Sequence, residues 1–318
     1  MLLIASVTCG MMNNELYPNP ERLFKEKEPF FHVCSKPVDD ILFGNDQDRK
    51  AALVFLALAA EETSATILAY AIMSNHIHAV ISVNDPARFY NLFRERVNAY
   101  LARHDHSGTV LPKEPTIVPI TSLNQLLDEI AYVIRNQYVV DKSVNPLSHI
   151  WCSGFLYFNP VLELLAGKVK YTPASELSGR SISRLTFSRD ISQPLGGMKV
   201  LDDFPAPSSF VDYQLVEKLF YNARQFITRV FRNVEGQIET ARLLGEMPAV
   251  PDEEMSRLMW KYCKEEWGVE SIRFLDRARQ IALAKHMKYT YCSSNRQIAR
   301  ITTLTRGEVD GLFPLSSN

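Results

Sequence analysis

The sequence predicts an α+β protein in which an N-terminal antiparallel sheet flanked by helices is followed by a mainly helical C-terminal domain. Three observations predict it. Short stretches rich in aromatic and β-branched residues fall within residues 29–83, apolar residues recur at helical spacing between and after them, and from Phe210 onward the chain reads as helices alone. A length of 318 residues exceeds the usual span of one domain. The expected division is a sheet domain at 1–170, a connection at 171–209 and a helical domain at 210–318.

Taken in order, PFFHVCS at 29–35 reads as a strand, and Asp46 or Asp48 can cap a helix with Leu53, Leu56 and Ala60 at helical spacing. Thr66–Tyr70 and Ile77–Val83 read as strands joined by a hairpin or bend at SNH. A helix from Pro86 to about Arg103 carries Phe89, Leu92, Phe93, Val97 and Leu101 on one stripe, and another from Ser122, its cap, runs to Val140. The N-terminal MLLIASVTCGMMNN has no basic leader and reads as a first strand or a mis-set start in preference to a signal peptide. Residues 171–209 are rich in Ser, Pro and Gly, yet Leu185, Phe187 and Leu195 are too apolar for a free linker, so part of it should dock on a core.

Lys and Arg number 35 against 36 Asp and Glu, so the whole-chain charge points to no polyanionic partner and any such footprint must be local. Cys9, Cys34, Cys152, Cys263 and Cys292 are scattered, with no zinc or disulfide spacing, which fits a reducing cytoplasm. No apolar run approaches the roughly 20 residues that cross a bilayer, and no membrane partner is expected.

The sharpest motif is AYAIMSNHIHAVISV. Alternate side chains of a strand share a face, so His76 and His78 project together, and two imidazoles so placed can chelate one metal. A second pair, His104 and His106 in RHDHSG, reads as solvated loop. In LLDEIAYVIRNQYVV, Tyr132 and Asn136 stand four residues apart and face the same way on a helix. A cation near Tyr132 would ease attack of its hydroxyl on a phosphate; the other reading puts Tyr132 in the helix's buried stripe with Ile130 and Val133.

Together these elements resemble the HUH single-tyrosine transposases, and within them the REP-associated tyrosine transposases. The shared order is a strand (FHVCS), a helix led by an acidic turn (Asp46, Asp48, Arg49), a strand ending in a Met-x-Asn-His-x-His motif, and a later tyrosine helix, over roughly residues 29–158. In this chain Ser74 and Gln137 stand where the family has prolines, and TVLPKEPTIVPI stands where it has a basic, aromatic segment. The resemblance implies a ferredoxin-like, HUH nuclease-like sheet. It implies His76 and His78 as ligands of Mg2+ or Mn2+, with Asn136 as the third and Gln137 as its rival. Tyr132 becomes a nucleophile that cleaves and joins single-stranded DNA hairpins through a 5′-phosphotyrosine link.

The local charge footprint lies near the C-terminus. Residues 271–306 hold eight Lys and Arg against one acid, Asp276. Within this stretch SSNRQIARITTLTRGEVDGLF has the layout of a helix-turn-helix, placed within 271–313, and longer members of the transposase family carry a similar QIAR segment. Arg296, Arg300 and Arg306 are candidate phosphate contacts, and Thr305 with Arg306 would open a recognition helix. The amphipathic segment Phe210–Ala241 reads as core or as the surface of a homodimer. Two alternatives accompany the transposase reading: a catalytically inactive, sequence-specific DNA-binding regulator on the same fold, and a non-catalytic metal- or RNA-binding protein in which Tyr132 is only core.

Overall fold

A computed structural model describes residues 19–38, 40–104, 110–140, 145–165, 168–232, 240–241, 243–244, 250, 252–291 and 293–314. The expected N-terminal strand, Cys9, His106 and Cys292 lie outside them. The molecule is α+β around a four-stranded antiparallel sheet. Among the described residues no helix is long and apolar enough to cross a membrane.

The sheet is built from β1 (Phe30–Cys34), β2 (Thr66–Ile72), β3 (Ile77–Ser82) and β4 (Thr116–Ile120), in the spatial order β2-β3-β1-β4. After α1 (Pro20–Lys27), helix α2 (Asp46–Thr63) connects β1 to β2 and α3 (Pro86–Arg103) connects β3 to β4, so the chain runs β-α-β-β-α-β. Sequence periodicity did not reveal β4. It is short and carries Pro119, which has no ladder N–H to give, and it is tolerated because β4 is an edge strand paired only with β1.

Helix α2 is capped by Asn45, one residue before Asp46 and three before Asp48: the Asn45 side chain accepts from the backbone N–H groups of Gln47 and Asp48. All ten residues from Ala51 to Ala60 are buried, so this helix is apolar on every side and needs cover all round. The sheet and α3 supply part of that cover, and the Ser- and Pro-rich region supplies the rest. There α6 (Gly179–Thr186), following α5 (Pro160–Leu165), brings Ile182 and Leu185 into the same core, and Phe187 packs edge-on against Phe55. A small sheet of β5 (Thr172–Pro173), β6 (Lys199–Leu201) and β7 (Phe204–Pro205) completes this cover.

The register sets the faces. Phe30, His32 and Cys34 oppose Ser82, Val80 and His78 on β3 and Ile120, Val118 and Thr116 on β4, so these residues share one face of the sheet. Helix α4 (Leu123–Val140), with Ser122 Oγ accepting from Gln125 N at 3.2 Å, lies across that face. It is pinned by buried Leu126, Leu127, Ile130, Ala131, Val133 and Ile134.

The expected boundary at 209/210 falls inside this first core. Helices α7 (Tyr213–Phe220) and α8 (Ala223–Arg232) bury Leu215, Phe220, Phe226 and Val230 in the same cluster as the sheet, because α4 needs apolar cover on the side away from β1 and β3. A second hydrophobic core begins at Val250. It gathers α9 (Asp252–Trp267), α10 (Arg277–Tyr291), α11 (Asn295–Thr302) and α12 (Arg306–Leu312) around Met255, Met259, Leu283, Met287, Ile298 and Val309.

Candidate metal and tyrosine site

The connection between β2 and β3 holds the first ligand candidate. Backbone N–H groups of Leu42 and Phe43 both donate to the Ser74 carbonyl at 2.9 Å, tying the hairpin to the loop before α2. Asn75 Nδ2 donates to Val38 O at 2.6 Å, which leaves Asn75 Oδ1 facing His76 Nδ1 at 2.8 Å. An amide oxygen only accepts, so the His76 proton sits on Nδ1 and its Nε2 carries a lone pair when the ring is neutral. His76 lies just before β3 and not within it, a difference from the simple pleat expectation. It still reaches its partner, because the bend turns the ring toward the sheet face: His76 Nε2 is 2.9 Å from His78 Nε2.

His78, on β3, is fully buried. Burial first, and then the neighbouring His76 and His32 rings, hold its imidazole well below the ordinary pKa, so it is neutral at neutral pH. Its Nε2 also lies 2.8 Å from Asn136 Nδ2, and its Nδ1 lies 3.0 Å from His32 Nε2. An amide N–H can only donate, so His78 Nε2 is an acceptor.

Helix α4 presents a polar stripe to these rings. Gln125, Glu129, Tyr132 and Asn136 recur at helical spacing on one side of an otherwise apolar helix. Glu129 is fully buried with Oε2 2.6 Å from His32 Nδ1. The Tyr132 ring stands edge-on to His78 and His32, with centroids 5.8 and 6.2 Å away, and packs half-buried against Cys34, Val118 and Leu244. Gln137 points elsewhere: its amide donates to Ile72 O at 2.8 Å and tethers α4 to the end of β2.

With both rings neutral, the Nε2 lone pairs of His76 and His78 face each other across 2.9 Å. That arrangement repels unless a cation lies near both. Adjacent ligands around a hard divalent ion with bonds of about 2.1 Å stand about 3.0 Å apart, a spacing that the 2.9 Å between the two Nε2 atoms fits, with the Asn136 amide 2.8 Å from His78 Nε2 beside them. Among the described residues no group of three or more His, Cys, Asp or Glu is arranged to hold a metal. His32 and Glu129 do not add to the shell because they stand behind His78 in a row, with the His32 Nε2 turned to His78 Nδ1.

The C-terminal candidates lie apart from this site. Arg300 pairs with Asp252, with Nε 2.5 Å from its carboxylate, and Arg306 pairs with Asp310 at 2.8 Å, while Arg296 is exposed. Thr305 caps α12 in a capping box with Glu308, and Arg277 also bonds Glu308. Three of the eight Lys and Arg of 271–306 are thus paired with acids outside that stretch, Asp252, Glu308 and Asp310.

Sequence reasoning missed His32, Glu129 and Asn75. The signals were present: His32 alternates with Phe30 and Cys34 on β1, and Glu129 lies three residues before Tyr132 and seven before Asn136. No family model matches the chain, and no curated protein or solved structure matches it either.

Proposed function

We propose that this chain is a metal-dependent single-tyrosine transposase or nickase of the HUH type, acting on single-stranded DNA hairpins. The observation that carries the reading is the convergence of His76 Nε2, His78 Nε2 and the Asn136 side chain beneath the helix that also bears Tyr132. The β-α-β-β-α-β order with strands arranged β2-β3-β1-β4 supports a ferredoxin-like sheet under it.

His76, His78 and Asn136, with its amide turned to present Oδ1, would hold Mg2+ or Mn2+. When bound, the ion neutralises charge on a phosphate oxygen, an effect worth several kcal/mol. Tyr132 Oη then attacks phosphorus. The new bond is a 5′-phosphotyrosine ester, the P–O3′ bond breaks, the phenol loses its proton and the departing 3′ oxygen gains one. Buried Ile130, Val133 and Ile134 hold α4 against the sheet, so Tyr132 and Asn136 keep their place over the histidines. The basic residues of α10 to α12, Arg296 among them, supply phosphate contacts for duplex or hairpin DNA in this reading.

A second reading is favoured by one observation, the packing of Tyr132 against Cys34, Val118 and Leu244. It is a catalytically silent DNA-binding regulator. The test separates the two: with labelled hairpin DNA and Mn2+, the transposase yields a covalent adduct that survives denaturation and is lost in Tyr132→Phe. Salt-sensitive DNA binding with no adduct, unchanged by Tyr132→Phe, would leave the regulator standing.

A further inference from the structure

We propose that Glu129 and His32 form a buried, proton-ordered relay that fixes the tautomer of His78 and keeps its Nε2 lone pair aimed at His76 and Asn136. The use of that lone pair rests on the metal reading above; the order of protons does not.

Glu129, His32 and His78 are each 0% exposed, and their contacts run in one line. A buried carboxylate is costly unless it is bonded, and Glu129 Oε2 meets His32 Nδ1 at 2.6 Å, a short contact for an N–H···O bond to a charged acceptor. A carboxylate only accepts, so the His32 proton is on Nδ1. A neutral imidazole has one N–H, which makes His32 Nε2 an acceptor, and the group 3.0 Å from it, His78 Nδ1, must donate. The lone pair of His78 is therefore on Nε2.

With Nδ2 toward His78, before any turn that would present Oδ1 to an ion, the Asn136 amide agrees from the other side. Were His32 an imidazolium, it would donate to both Glu129 and His78, and the His78 proton would move to Nε2. It would then face Asn136 Nδ2 at 2.8 Å, donor against donor. The neutral order pairs one donor with one acceptor at Glu129–His32, His32–His78 and Asn136–His78, and leaves the facing Nε2 lone pairs of His76 and His78 as the place for a cation. Partners of this kind behind a metal-bound histidine change metal affinity by about 10- to 100-fold.

The test begins with the wild-type chain, chelator-treated and uniformly 15N-labelled, in a long-range imidazole 1H–15N correlation spectrum at neutral pH. Signals are assigned with His32→Gln and His78→Gln. The relay predicts that His32 and His78 are both Nδ1–H tautomers. An Nε2–H at His78, or a doubly protonated His32, overturns it.

The double variant His32→Leu with Glu129→Leu removes the buried pair together, so no lone charge is left in the core, and its melting curve reports the fold. It should release His78 into a mixture containing Nε2–H and weaken Mn2+ binding, read by the electron paramagnetic resonance of the free ion, by about 10- to 100-fold. An unchanged His78 tautomer in the folded double variant also overturns the relay. Wild-type protein with the predicted tautomers but no Mn2+ binding upholds the relay and removes the metal reading instead.

Discussion

The histidine site and the C-terminal helices are both places where the chain gathers polar residues, and they do so in opposite ways. Under α4 the polar groups are few, buried and each assigned a partner by geometry, with His32, His78 and Glu129 fully enclosed. Around α10 to α12 they are many, exposed and paired loosely across the surface, as Arg300 is with Asp252 and Arg306 with Asp310. A buried polar group must be bonded to be tolerated, so its position is specified by the fold; an exposed ion pair is worth little and can be traded for a phosphate. Chemistry is therefore expected at the first place and adjustable binding at the second.

The largest expected effect breaks the first region. His76→Ala or His78→Ala should lower the rate of adduct formation with single-stranded hairpins by at least about a hundredfold, since several kcal/mol of phosphate stabilisation is lost. A rate within a few-fold of wild type in quenched time courses would show that these rings are only structural.

Next in size is a strut between the regions. Arg135, beside Asn136 on α4, is 2% exposed and bonds Glu254 on α9 and the Val230 carbonyl. Arg135→Met strands Glu254 and should cost about 3 kcal/mol in urea unfolding, the low end for a broken buried pair because Glu254 keeps some contact with water. Arg300→Ala, which breaks an exposed pair, should cost less than about 1 kcal/mol in the same assay. Equal losses would erase the contrast between the buried and the exposed region.

Smaller still is the effect of exposed Arg296. Arg296→Ala should weaken DNA binding evenly across sequences and reduce the slope of log affinity against log salt by about 1, measured by fluorescence anisotropy. No change in slope would place it away from the phosphates.

The smallest effect concerns pH and the second core. His286 stacks on Tyr262 with ring centroids 3.9 Å apart, near Glu266, Thr290 and Tyr291. Burial lowers its pKa, against the opposing pull of Glu266. The unfolded chain then binds the proton more readily than the folded one, so this contribution is whole above the usual imidazole range and shrinks as pH falls through and below it. Unfolding midpoints at pH 7.5 and 5.5 should differ in this direction, and His286→Phe should reduce the difference.

The long amphipathic pieces were legible because their period was strong: helices at 86–103 and 123–140 and strands at 66–72 and 77–82 lie within two residues of expectation. The HxH pair and the Tyr132–Asn136 spacing were legible for the same reason, being local. Strand β4 was not, since five residues with a proline carry too little pattern. Nor was the boundary at 209/210, because the apolar faces of α7 and α8 say that they are buried but not against what. His32 and Glu129 lie 97 residues apart, and their relation exists only once α4 crosses β1. Charge counting over 271–306 left out three balancing acids for a similar reason, as Asp252, Glu308 and Asp310 sit outside it.

The most direct measurement is pulsed electron paramagnetic resonance of Mn2+ added to this chain, read for coupling to directly bound nitrogen. Two imidazole nitrogens should be seen in the wild type and one in His76→Ala, with the fold unchanged by circular dichroism. Bound manganese without nitrogen coupling, or coupling indifferent to that substitution, would contradict a cation held between His76 and His78.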